Sequence, residues 1–381
     1  MTRNYGGKKI KNGGREIIES LLGEAGVRVG GSEPRDIRVH DERFYQRVLG
    51  GASLGLGESY MDGWWDCAAL DEFFYRVLGA KLDEKVKISK WLLWILLKAK
   101  IINFQKKSRA FLIGEKHYDL GNALYQNMLD ERMIYSCGYW KDAKTLDEAQ
   151  EAKLDLVCRK IGLKEGMKIL DIGCGWGGFA KYAAEKYEAR VVGVTVSKEQ
   201  ADLARRVCEN LPVEIRLQDY RDISEKFDGI VSIGMFEHVG YKNYQTYMKV
   251  ARNCLKDNGL FLLHTIGRNV ARVATDPWMN KYIFPNSVIP SPEKIINAAK
   301  GLFVLEDWHN FGADYDKTLM AWHQNFKNNW DKIKNIYDQR FYRMWSYYLL
   351  ACAGSFRVRK NQVWQIVFSK NGVAGGYASV R

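Results

Sequence analysis

The chain has 381 residues, 46% of them apolar and 27% charged, the profile of a globular protein long enough for two domains. Its opening, Met-Thr-Arg-Asn-Tyr-Gly-Gly-Lys-Lys, is not a secretory leader, and the longest apolar run, Trp91 to Leu97, is far too short to span a bilayer. Seven scattered cysteines without a C-x-x-C pair, and six histidines without ligand spacing, argue against a disulfide framework or a structural metal and suit a reducing cytoplasm, while the net charge of +13 favours an anionic partner.

In chain order, residues 1–14 are rich in Gly and Lys. Ile17, Ile18, Leu21 and Leu22 then predict an early helix. Gly50, Gly51, Gly55 and Gly57 read as a glycine-rich turn before the aromatic Tyr60, Trp64 and Trp65, so residues up to Leu78 are expected to form a small α+β unit. Residues 81–109 follow with nine Lys/Arg against Asp83 and Glu84, a charge of +7 in 29 residues, around Trp91, Trp94 and several Leu and Ile. Basic residues flanking a Trp- and Leu-rich helix fit an interfacial membrane helix. They fit equally a helix joining two domains. An RNA-binding surface fits less well, because the aromatic residues cluster with aliphatic ones instead of interleaving with the basic ones. Residues 110–150 read as a helical lead-in.

From residue 151 the pattern alternates. Strands are predicted at 168–172, 190–195, 213–217, 229–233, 259–265, 302–309 and 363–369. Helices are predicted at 150–161, 177–187, 198–209, 241–256, 293–300 and 315–339. This is an α/β pattern with a parallel-dominated sheet, whose ligands bind at the carboxyl ends of the strands. Pro277, Pro285, Pro290 and Pro292 mark one long loop after the fifth strand.

The most informative string is Leu170-Asp171-Ile172-Gly173-Cys174-Gly175-Trp176-Gly177-Gly178. It is a buried strand, a glycine turn and a helix start, where a ligand can lie against bare backbone and free N–H groups. A dinucleotide site would want an acid at the end of the second strand. That strand ends instead in Thr195-Val196-Ser197, with Gln200 on the next helix as the alternative ribose partner. The turn resembles the first motif of S-adenosylmethionine-dependent methyltransferases. Asp171 is placed to accept from the glycine turn or from the methionine ammonium, or simply caps the loop. Asp219 and Tyr220 follow the third strand, where the acid would take the adenine amino group and the ring would stack; an ordinary exposed turn is the bland alternative. Glu237, after the fourth strand, is a candidate for proton handling or for orienting another base. His264, near the end of the fifth, could face the same pocket. His117, His309 and His323 are read as structural.

Beyond that superfamily, the strings His117–Asn122, Tyr135–Trp140, Leu170–Gly178, Thr195–Gln200, Met235–Gly240, Ala351–Arg357 and Gly55–Trp65 are similar to the cyclopropane-fatty-acyl-phospholipid synthases. Ala123 departs from the family pattern, in which many members carry an acid. The resemblance implies a Rossmann-like class I methyltransferase domain with a seven-stranded mixed sheet over 109–381, after a smaller lipid- or membrane-associated α+β/helical domain over 1–108. It implies methylene transfer from S-adenosylmethionine to a cis double bond of a phospholipid acyl chain, through a carbocation deprotonated with the help of bicarbonate. Matching positions for that step are Cys137, Glu237, His264, Ile266 (through its backbone) and Tyr315, with Glu237 expected to orient His264. Cys352 matches a string the family sometimes labels as active site, and is read here as a small residue lining the acyl pocket. Cofactor-binding positions would be Tyr135, Ser136, Asp171, Gly173, Cys174, Gly175, Gly177, Thr195, Ser197, Gln200, Asp219 and Tyr220. The implied partner is an unsaturated, anionic phospholipid bilayer, bound peripherally at the inner face of the membrane. Nucleic acid is not expected, and a homodimer is allowed. A relative giving a methyl-branched or hydroxylated chain, or an RNA or small-molecule methyltransferase, are the competing readings.

Overall fold

The computed structural model describes residues 6–85, 121–271 and 275–381. Residues 86–109 of the basic segment, and 117–120 of the string that begins at His117, lie outside the described residues.

The N-terminal part comprises helices α1 (Gly6–Glu24), α2 (Arg43–Met61) and α3 (Leu70–Gly79) and a two-stranded antiparallel ribbon, β1 (Ile37–Val39) with β2 (Trp65–Cys67). The glycine-rich turn expected at Gly50–Gly57 is helical instead, within α2, which kinks at Ala52 (φ 48°, ψ −127°). Its glycines answer to close packing. A Cβ on Gly55 would strike the Arg47 carbonyl, and one on Gly57 would strike the Trp278 indole.

The C-terminal part holds the seven-stranded sheet: β3 (Lys168–Ile172), β4 (Arg190–Thr195), β5 (Val213–Leu217), β6 (Phe227–Ile233), β7 (Leu255–Gly267), β8 (Val304–Asn310) and β9 (Gln362–Ser369). Their order across the sheet is β5-β4-β3-β6-β7-β9-β8. The first five are parallel, and β9 slots antiparallel between β7 and β8. Each predicted strand is present, because runs such as Val191–Val194 are apolar enough for a sheet covered on both faces. The helices used below are α4 (Leu146–Lys160), α5 (Gly178–Tyr187), α6 (Lys198–Val207), α7 (Tyr244–Cys254), α8 (Pro277–Tyr282), α9 (Pro292–Ala299), α10 (Asp314–Asn328) and α11 (Gln339–Arg357). The lead-in expected over 110–150 is mostly not helical where it is described. It has one short turn, Asn122–Gln126, and α4 starts only at Leu146, behind a Thr145/Glu148 capping box. The proline-marked loop contains α8. The single helix expected at 315–339 ends at Asn328, and α11 follows as a separate, largely buried helix.

Phe44, Trp65 and Phe73 from the N-terminal part share one buried cluster with Trp322, Trp345 and Tyr347 from α10 and α11. Trp278 on α8 bridges the two parts, its ring 4.5 Å from that of Tyr347 and its indole N–H donating to Met61 Sδ at 3.4 Å. None of the described helices is long and apolar enough to cross a membrane.

Candidate active site

The chain reverses its direction across the sheet between β3 and β6: β4 and β5 lie to one side, β7 to the other. That switch point leaves a crevice at the carboxyl ends of β3 and β6. Backbone bonds tie its floor together. Gly173 and Cys174 N–H both donate to the Val194 carbonyl at 2.9 and 3.0 Å, and Gly234 N–H donates to the His264 carbonyl at 2.9 Å. The cavity there is walled by Tyr135, Ser136, Asp171, Gly173, Cys174, Gly175, Thr195, Gln200, Asp219 and Tyr220. Gly177 and Ser197 stand just outside it. Gly177 is the left-handed N-cap of α5, and the Ser197 hydroxyl caps α6 by accepting from Gln200 N–H at 3.3 Å.

The residues present fit an S-adenosylmethionine-like group. Gly175 (φ +55°) faces open space where a Cβ would meet nothing, a cradle for a ligand. Asp171 is buried with Oδ2 lacking any hydrogen-bond partner, which suits an ammonium arriving with the ligand. Burial pushes its carboxyl up to about 7, opposed by nearby Lys153. Thr195 Oγ1 donates to Gln200 Oε1 at 2.9 Å, which fixes the glutamine in the cavity wall. Asp219 accepts from the backbone N–H and the guanidinium of Arg221 at 2.8–3.0 Å. Gly175→Val should cut S-adenosylhomocysteine affinity by at least tenfold, because the side chain enters the cradle and the left-handed backbone disfavours a β-branched residue. Calorimetry on a folded variant with wild-type affinity would remove this turn from the site.

Beyond the cavity, the expected catalytic residues come from four elements and from the irregular segment that carries Cys137. Glu237, in the one-turn helix Phe236–Val239 after β6, is buried and accepts from the Ile266 N–H of β7 at 2.6 Å through Oε1. Its Oε2 has no partner. Desolvation raises this carboxyl to about 7, although the Ile266 N–H and Thr265 oppose it. His264 is buried on β7 opposite Gln365 of β9, whose amide lies 3.4 Å from Nδ1. The expectation that Glu237 orients His264 is therefore corrected: the carboxylate bonds to the backbone two residues further on, and Gln365 contacts the imidazole. Burial, with Lys153 and Lys160 adding to it, holds His264 well below the usual range and so neutral.

Cys137, Tyr315, Ile266 and Cys352 belong to one apolar cluster. The Cys137 thiol is pushed well up by burial, and the Cys352 thiol to about 12, so both stay protonated. The Tyr315 ring packs 4.6 Å from Phe356 and 5.8 Å from Trp322. His309 is held by Lys160 Nζ at 3.0 Å, a structural contact.

Lys153 was not singled out in the sequence. It is fully buried on α4, lines the cavity and donates to Ser136 Oγ at 3.0 Å. The signal was available: it shares the core-facing stripe of Ala149, Gln150 and Val157, where a lysine is out of place.

The family model described as mycolic acid cyclopropane synthetase matches residues 105–366. The chain is 54% identical over 365 residues to the cyclopropane-fatty-acyl-phospholipid synthase of Escherichia coli (strain K12), covering 96% of this chain and 95% of that one. It is 40% identical over 255 residues to a probable fatty acid methyltransferase of Pseudomonas putida, covering 63% and 64%. Among solved structures it is similar to the cyclopropane synthase MmaA2 from Mycobacterium tuberculosis (TM-score 0.65, 31% identity, 68% of this chain and 98% of that one). It is likewise similar to the mycolic acid cyclopropane synthase CmaA1 complexed with SAH and CTAB (TM-score 0.64, 33% identity, 68% and 98%).

Proposed function

This chain belongs to the mycolic acid cyclopropane synthetase family and is an S-adenosylmethionine-dependent, cyclopropane-forming methyltransferase, and we propose that its substrate is the cis double bond of a phospholipid acyl chain at a membrane surface. The observation that carries the substrate class is the near end-to-end likeness to a synthase named for fatty-acyl phospholipids. S-adenosylmethionine, when bound, would supply an electrophilic methyl to the alkene and leave as S-adenosylhomocysteine, and loss of a proton from that methyl would close the ring on the resulting carbocation. Asp171 would hold its ammonium, Thr195 and Gln200 its ribose, and Asp219 with Tyr220 its adenine.

An alkene is a poor nucleophile, so this chain's contribution is positioning together with apolar and aromatic walls that tolerate a developing cation. Tyr315, its ring packed on Phe356 and Trp322, would supply such a wall. The remaining task is removal of one proton before water captures the cation. We propose bicarbonate as the base, held by Glu237, His264, Tyr315 and the backbone around Cys137. Support comes from a buried carboxyl with one unpartnered oxygen, anchored on the strand that carries a buried histidine kept neutral. The Ile266 N–H is already taken by Glu237, so it braces the glutamate that faces the anion.

The same proposal places the enzyme peripherally on the anionic inner face of the membrane, using the basic segment 81–109, and allows a homodimer. Each Lys or Arg near such a surface contributes roughly 1 kcal/mol, screened by salt. Replacing Lys98, Lys100, Lys106 and Lys107 with Gln should weaken sedimentation with anionic vesicles most at low salt. Unaltered sedimentation would leave the segment as a joint between domains.

A further inference from the structure

We propose that Lys153 is the cation that receives the carboxylate of the methionine end of S-adenosylmethionine, acting with the Ser136 hydroxyl it holds and opposite Asp171, which takes the ammonium. The inference rests on the cofactor reading above and assigns a further residue to that site.

A lysine with no exposed surface is rare unless it is paired. The Lys153 ammonium donates to a neutral hydroxyl, Ser136 Oγ, at 3.0 Å. The carboxyls that act on its charge are Asp130, on the loop before Ile134, most strongly, and Asp171, at the end of β3, less so. Asp130 is already committed: its carboxylate accepts from the N–H groups of Arg132 and Ile134 at 3.0 and 2.9 Å. Asp171 keeps an orphaned, buried oxygen in the same cavity wall. The cavity is therefore lined by a buried cation whose hydrogen bond goes to a neutral hydroxyl and by a buried carboxyl with an unpartnered oxygen. An α-amino acid end brings one carboxylate and one ammonium, the complementary pair. A charge-assisted hydrogen bond to each offsets the desolvation that both side chains bear in the ligand-free protein. Burial shifts both toward neutrality, the lysine down to about 8 and the aspartate up to about 7, as expected of groups awaiting a counter-charge.

The test removes the carboxylate from the ligand as well as the cation from the protein. Calorimetry compares S-adenosylhomocysteine with its decarboxylated analogue, S-adenosyl-3-thiopropylamine, on the wild type and on Lys153→Met, Lys153→Gln and Lys153→Arg. The wild type should prefer the carboxylate-bearing ligand by about tenfold or more. Lys153→Met and Lys153→Gln should lose that preference while binding the amine analogue as the wild type does, and Lys153→Arg should keep part of it. A merely structural lysine would weaken both ligands alike, and that result overturns the proposal. So does a wild type that binds both ligands equally, a result that needs no variant to fold. Failure of the wild type to bind S-adenosylhomocysteine at all would instead remove the cofactor reading, and the proposal with it.

Discussion

Glu237→Gln is expected to lower kcat by about two to three orders of magnitude while changing S-adenosylhomocysteine affinity by less than about twofold, the range for loss of a group that handles the transferred proton. The geometry separates the two effects. Glu237 lies beyond the cofactor cavity and is anchored on the Ile266 N–H. A glutamine can place its carbonyl oxygen there, so the fold should survive. What it removes is a carboxyl held near 7 by burial, able to accept or share a proton at neutral pH. Bicarbonate added to a depleted wild-type assay should raise the rate, and the variant should respond less. A variant with near-normal turnover, or a wild type indifferent to bicarbonate, would mean that the proton leaves by another route.

Asp171→Asn should move stability and binding in opposite directions. The Asp171 carboxyl is raised from near 3.9 when unfolded to about 7 in the fold. The native state therefore binds the extra proton between about pH 4 and 7, and ligand-free stability drains away as pH rises through that window. Asparagine has no such proton. Relative to the wild type the variant should gain up to about 1.4 kcal/mol per pH unit across the window and level off above it. Glu237, shifted the same way, remains in both proteins and gives a common background. S-adenosylhomocysteine affinity should fall about tenfold to a hundredfold, the loss of a charge-assisted bond to an ammonium. Denaturant midpoints at pH 5 and pH 8 with matched calorimetry check both halves. Equal affinity, or a stability gap that shrinks as pH rises, would count against this role.

Much of this was legible in the sequence because two signals are local. Apolar runs bounded by turns mark the strands, and β3, β4 and β5 begin and end where those runs do. The glycines after Asp171 announce a backbone that must be approached closely. Other features depend on contacts distant in sequence. Gly55 and Gly57 look like turn residues, but they sit in a helix that presses against Arg47 and Trp278. The helix Gln339–Arg357 buries Met344 through Ala351 without a break, so no amphipathic stripe marks it. Which partner Glu237 takes depends on how the end of β7 lies against the turn after β6, which spacing along the chain does not encode.

The most direct test is the product. Purified enzyme, S-adenosylmethionine and vesicles of unsaturated phospholipid should yield lipids heavier by one CH₂ per double bond, with fragmentation placing a three-membered ring at the former alkene. Unchanged lipids, or a methyl branch or hydroxyl in place of the ring, would contradict the account.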